Sequence, residues 1–152
     1  MEITVKPVAC VRSSRKVVKD DHWGEVISTI ELAPNLSEQS LEGIDQFSHL
    51  DIVFYFDQVE EHKIQTEARH PRNQTAYPKV GIFAQRGKNR PNKIGLTTVR
   101  LLGHDGRTLT VQGLDAIDGT PVLDIKPVMK EFLPREDVSQ PSWATDLMSE
   151  YW

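Results

Sequence analysis

Seven residues, Leu50-Asp-Ile-Val-Phe-Tyr-Phe56, constrain the fold more than any other stretch. β-Branched and aromatic side chains fill the run, which favours a pleated, buried strand. Other strand signals surround it. Ile3 to Val11 alternates apolar and polar residues and then turns apolar, with Pro7 marking an edge or a bulge. Val26 to Leu32 is a second strand ended by Pro34, and Val80 to Ala84 reads as a buried strand. Ile94 to Leu102 and Arg107 to Leu114 are joined by Gly103-His-Asp-Gly106, where Asp105-Gly106 is a hairpin signal. Leu114 to Gly119 is a second tight reversal, whose positive φ Gly119 can supply. Val122 to Pro127 is the last strand.

Helical signals are weak. Ser37 to Leu41 suits one helical turn with Ser37 as its cap. Trp143, Leu147 and Tyr151, spaced four apart behind Pro141 and Ser142, read as a short terminal helix with a Ser cap. The pattern predicts an all-β fold: a single closed or nearly closed β-barrel of about six to seven strands with a short C-terminal helix. Residues 1–128 form the barrel domain in this reading, and residues 129–152 a tail whose aromatic residues mark it as a docking element.

Between the strands, Arg86 to Lys93 holds four cations, two Asn, one Gly and one Pro. Such a segment is a loop on a rigid support, read either as a solvated turn or as a binding element. Charge favours binding. From Arg69 to Arg100 there are eight Lys or Arg residues and no acid, in a chain of 152 residues with net charge −4. A basic patch gathered in an acidic protein is the footprint of a polyanionic partner. Arg69, Arg72, Lys79, Lys88, Arg90 and Lys93 are the candidate RNA contacts. Upstream, Gln58 to Lys79 is a long polar stretch, the kind that is functional or disordered.

Other chemistries lose their usual signals. The single Cys10 rules out an intramolecular disulfide and a multi-cysteine zinc site, and the five histidines show no ligand spacing, so no metal is expected. His49 reads as a structural histidine. No phosphate-binding glycine loop, nucleophile elbow or zinc helix is present. No apolar run is long enough to span a membrane and the N-terminus lacks a signal core, so a soluble cytoplasmic protein without a membrane partner is expected. Trp23, in a polar loop, reads as a plug on the core rather than a ligand stack. Asp124 and Lys126 share a face as an ordinary ion pair. Polar groups remain at strand ends: Asp57, Arg86, Asn92, Asp115, Asp118 and Thr120. They suit a zwitterionic ligand, with Arg for its carboxylate and Asp for its amine and hydroxyls.

Three co-linear runs, Val80-Gly-Ile-Phe-Ala-Gln-Arg86, Arg90-Pro-Asn-Lys-Ile-Gly-Leu96 and the segment from Gly113 to Pro127, resemble the signatures of the TrmO/TsaA-like family, as does Leu41 to Leu50. The resemblance covers Val5 to Pro127. It implies a β-barrel methyltransferase that uses S-adenosylmethionine, works as a homodimer, and methylates the exocyclic nitrogen of threonylcarbamoyladenosine beside the tRNA anticodon. It also implies cofactor contacts at Phe56, Asp57, Arg86, Leu96, Gln112, Gly113, Leu114 and Asp115. Many relatives carry His at the position of Asp57, the family's Lys-Pro-Tyr segment is Lys126-Pro127-Val128 here, and the loop around Trp23 departs from their pattern. Methylating a delocalised nitrogen calls for a general base. Asp118 is the first candidate and Asp57 the second, although Asp118 beside Gly119 serves equally well as a turn residue. The alternatives are the same cofactor with another RNA or a small molecule, and a non-enzymatic RNA-binding barrel.

Overall fold

Alternating side chains give each strand two faces, and closing a sheet on itself turns the inner faces into a core. The computed structural model describes residues 1–152. Its strands are β1 (Ala9–Ser13), β2 (Ile27–Leu32), β3 (His49–Tyr55), β4 (Ala68–Arg69), β5 (Val80–Gly81), β6 (Ile94–Asp105), β7 (Thr108–Gln112) and β8 (Pro121–Pro127). Six of them close into a barrel in the order β1-β2-β7-β6-β3-β8, and every pairing is antiparallel. The seam is β1 on β8, with Ala9 opposite Val122. Closure leaves no long edge for another chain to extend.

On β3, Leu50, Ile52 and Phe54 point inward and are at most 2% exposed, as expected of the strongest strand signal. β6 does the same with Gly95, Thr97 and Val99, turning Ile94, Leu96 and Thr98 outward. The β6–β7 hairpin turns at Gly106, φ +58°, and the reversal before β8 turns at Gly119, φ +84°. Ser37 caps a 3-10 turn, Glu38–Leu41, its hydroxyl accepting from the Gln39 N–H.

Three expectations are corrected. β1 starts at Ala9, not Ile3, and residues 1–7 are exposed. Pro7 has no N–H to give a ladder, and regular pairing begins only beyond it. The run from Val80 to Ala84 is not a buried strand. β5 pairs only with β4, apart from the barrel, and the chain then tightens into a 3-10 turn, Ile82–Ala84, that buries Ile82 and leaves Phe83 77% exposed. The terminal helix α1 (Ser142–Leu147) has Pro141 at its cap with no side-chain hydrogen bond, and Tyr151 lies beyond its end. The long segment before β5 is ordered by 3-10 turns at Glu61–Lys63 and Pro71–Asn73 and by the bond from Ile82 N–H to the Glu67 carbonyl, 3.0 Å.

The register sets the site. Tyr55 lies opposite Ile94, Phe54 opposite Val122, and Ile27 opposite Gln112. The end of β3, the starts of β6 and β8, and the turn leaving β7 therefore meet at one rim of the barrel.

Candidate active site

Arg86 reaches this rim from the loop that precedes β6. Its Nη2 donates to the Leu96 carbonyl at 2.5 Å, which anchors an exposed guanidinium beside β6. A guanidinium has five N–H donors, so most remain free for an anion. The loop is braced from within. The Gln85 amide donates to the carbonyls of Arg69 and Val80, at 3.0 and 2.8 Å, and Arg90 donates to that of Gln85 at 2.9 Å.

Leaving β7, Gly113 adopts φ +84°, a conformation glycine reaches without strain. The Gln112 amide donates to the Gly24 carbonyl at 3.2 Å. Leu114 is fully buried in the core, so only its backbone can face a ligand, a narrower part than the resemblance implies. Asp115 accepts from the Thr97 hydroxyl on β6 with one oxygen and from the Tyr151 hydroxyl with the other. Burial and then the Asp115 charge push the Tyr151 phenol far above its ordinary range, against the pull of Arg86 and Arg72, so Tyr151 stays a donor.

Phe56 follows β3, is partly buried, and meets Phe54 edge-on at 5.2 Å. Asp57 is exposed and accepts only from its neighbour Gln58, at 3.0 Å. Asp118 stands on the far side of the rim, against β1. The Ser13 N–H and Lys16 ammonium hold its two oxygens at 3.0 Å each and keep its carboxyl below the ordinary value of 3.8. A carboxylate so held is a weak base and a good brace for the turn at Gly119. Because the folded-state value is lowered, the stability this charge contributes is present above 3.8 and lost as the pH falls through the lower folded value. In acid unfolding, the stability gap between the wild type and Asp118→Asn should therefore close below about pH 4. A gap independent of pH would show that the charge contributes nothing.

Three of the six basic candidates are engaged within the fold. Arg72 forks onto Asp21, at 2.9 and 3.3 Å. Lys93 is only 8% exposed, donating to the Val59 carbonyl at 3.3 Å and to Glu61 at 3.1 Å, with its ammonium 5.0 Å from the Tyr55 ring centroid. Tyr55, then Glu61, hold its pKa above the ordinary lysine value. Arg90 is spent on the loop. Arg69 donates to Asn73 at 2.8 Å, while Lys79 and Lys88 take part in none of the ion pairs. Asn92 is exposed, and Thr120 is buried on the Ile117 carbonyl.

Trp23 is the plug expected, 3% exposed with Arg15 stacked 4.1 Å from its ring centroid. The tail docks on its own barrel. His22 N–H donates to the Glu150 carbonyl at 2.9 Å, Trp23 N–H to that of Tyr151 at 2.8 Å, and the Tyr77 hydroxyl to Asp146 at 2.7 Å. Sequence reasoning marked the tail as a docking element but missed Thr97 and Tyr151 as partners of Asp115. The rim thus gathers a cationic donor, Arg86, an anionic acceptor, Asp115, a glycine turn and a half-exposed Leu96, a set that fits a zwitterion carrying both apolar and hydroxyl-bearing parts.

Residues 17–132 match the tRNA-methyltransferase O N-terminal domain family. The chain belongs to that family. A solved TrmO from Pseudomonas aeruginosa superposes with a TM-score of 0.74 at 31% identity, over 91% of this chain and 61% of that one. The Homo sapiens tRNA (adenine(37)-N6)-methyltransferase is 40% identical over 107 residues, covering 70% of this chain and 24% of the human enzyme. A Methanothermobacter thermautotrophicus relative named "Probable S-adenosyl-L-methionine-binding protein" is 35% identical over 135 residues, 86% of this chain and 93% of that protein. The chain thus spans most of the archaeal relative, under two thirds of the solved TrmO and about a quarter of the human enzyme. The match runs from the Trp23 loop through β8, so it includes Arg86, Leu96 and the Gly113 turn but not Tyr151.

Proposed function

We propose that this chain is an S-adenosylmethionine-dependent tRNA methyltransferase acting on the exocyclic nitrogen of threonylcarbamoyladenosine beside the anticodon. The observation that carries the reading is that Arg86, bonded to the Leu96 carbonyl, and Asp115, bonded to Thr97 of the same strand, present a cation and a carboxylate at one rim of a barrel of this family. Relatives named for tRNA (adenine(37)-N6) methylation and for S-adenosyl-L-methionine binding support the substrate and the cofactor. Arg86 would hold the cofactor carboxylate, Asp115 and the backbone from Gln112 would receive its donors, and Leu96 and Phe56 would offer apolar contact. When bound, the cofactor supplies a methyl group already activated by its sulfonium. The chain's own task is to align the attacking nitrogen and to take its proton. Asp57 receives the proton in this scheme, because it is exposed at the end of β3 and no cation holds it, whereas Asp118 is engaged by Lys16.

An anticodon loop is largely single-stranded and can splay its target base into a pocket. Lys79, Lys88 and Arg69 supply the phosphate contacts in this reading. Lys88→Ala should weaken tRNA binding and flatten the log–log salt dependence by about 0.7, with cofactor affinity unchanged. Filter binding across a salt series reads both, and a wild-type slope would remove Lys88 from the RNA face.

The protein acts as a homodimer in this proposal. Ile94 and Leu96, 43% and 47% exposed on the outer face of β6, and the exposed Phe83 supply apolar surface for a second copy. Because the tail docks on its own barrel, truncation before Pro141 should leave the dimer intact. Light scattering that finds a monomer at micromolar concentration would overturn the dimer.

Nucleoside mass spectrometry of tRNA from a deletion strain tests the function itself. The methyl on the hypermodified adenosine should disappear, and an unchanged nucleoside profile would overturn the proposal.

A further inference from the structure

We propose that Tyr151 is a positioning residue of the cofactor site, whose hydroxyl fixes the Asp115 carboxylate, and that the C-terminal strap from Pro141 to Trp152 exists to deliver it. The proposal rests on reading the rim as the cofactor site. Tyr151 lies beyond residues 17–132, the part that matches the family domain.

The strap is built into the molecule. Three hydrogen bonds tie it to the Trp23 loop and to Tyr77. Gly24 lies so close beneath it that a Cβ there would stand 2.8 Å from the Trp152 carbonyl carbon. The loop under the strap is itself fixed, with Trp23 buried and its indole N–H donating to the Lys19 carbonyl at 3.2 Å. Tyr151 packs edge-on against Trp152, ring centroids 4.8 Å apart.

From this seat the phenol meets the Asp115 oxygen that Thr97 does not use. Thr97 takes one carboxylate oxygen and Tyr151 the other, so the plane and rotamer of Asp115 are set by two donors on separate elements. A carboxylate has about four acceptor positions, so about two stay free for a ligand's hydroxyl or amino donors. Removing the phenol hydroxyl would free the carboxylate to rotate and blur the geometry that binding needs. A strap that merely plugged the site would do the reverse, because its removal would open the rim.

Calorimetric titration with S-adenosylmethionine decides between these. The wild-type chain should bind. Tyr151→Phe, which keeps the ring and loses the hydroxyl, should weaken binding about tenfold, the scale of one hydrogen bond to a charged group. Gly24→Ala, which displaces the strap without touching Asp115, should weaken it similarly. Tyr77→Phe removes a strap contact remote from Asp115 and should leave affinity unchanged, so a general loosening of the strap is told apart from loss of the Asp115 contact. On an Asp115→Asn background, Tyr151→Phe should add little, because the two residues act through one hydrogen bond. Absence of binding by the wild type would overturn the cofactor reading and this proposal with it. Wild-type binding that Tyr151→Phe leaves unchanged or tightens would overturn the strap proposal alone.

Discussion

Gly95→Val should lower the melting temperature by about 6–12 °C. Gly95 sits on β6 opposite Phe54 and faces inward, where a Cβ would stand 2.5 Å from two atoms of the Phe54 ring and 2.9 Å from the Phe56 ring. Phe54 is 2% exposed and cannot swing away without opening the core. Overpacking of this kind costs about 3 kcal/mol at the upper end of its usual range. In a domain of this size each kcal/mol shifts the melting temperature by about 2–4 °C. Because Phe56 lines the rim, cofactor affinity should fall as well. Gly103→Ala is the control, since nothing lies within 4 Å of its Cβ position, and it should melt close to the wild type. Equal melting of the two variants would contradict the packing described for β3 and β6.

Arg86→Ala should weaken S-adenosylmethionine binding by about 1.5–3 kcal/mol, the range for a hydrogen bond to a charged group. The guanidinium is already anchored by the Leu96 carbonyl, so a bound carboxylate would meet a partner with little left to order. Arg86→Lys should recover only part of the loss, because an ammonium lacks the planar fork. Stability should change little, since the side chain is exposed and makes only the one hydrogen bond. Affinity left unchanged in a folded variant would remove Arg86 from the site.

The barrel was legible where its signals are local. The aromatic and β-branched run of β3, the Asp105-Gly106 hairpin and the Gly119 turn each declare themselves within a few residues. Ser37 did so too, because its cap bond reaches only to Gln39. The run from Val80 to Ala84 misled because a short apolar stretch reads alike as a strand or a turn when its partner is unknown, and that partner is the two-residue β4. The partners of Arg72 and Lys93 were hidden for a related reason. Their acids, Asp21 and Glu61, lie 51 and 32 residues away, and composition cannot say which of eight nearby cations the fold neutralises. Lys93 also sits at φ +51°, a backbone choice invisible in a loop of polar residues. Asp115 and Tyr151 pair across 36 residues. The aromatic tail announced that something docks, and only the closed barrel shows where.

The central claim is methyl transfer from S-adenosylmethionine to a modified tRNA adenine. Its most direct test incubates the purified chain with S-adenosylmethionine carrying an isotopically labelled methyl group and with tRNA bearing threonylcarbamoyladenosine, then analyses the nucleosides by mass spectrometry. The account predicts one labelled methyl on the threonylcarbamoyladenosine base, sharply reduced with Arg86→Ala. Label that stays on the cofactor although the chain binds both partners, or that appears on a different nucleoside, would contradict it.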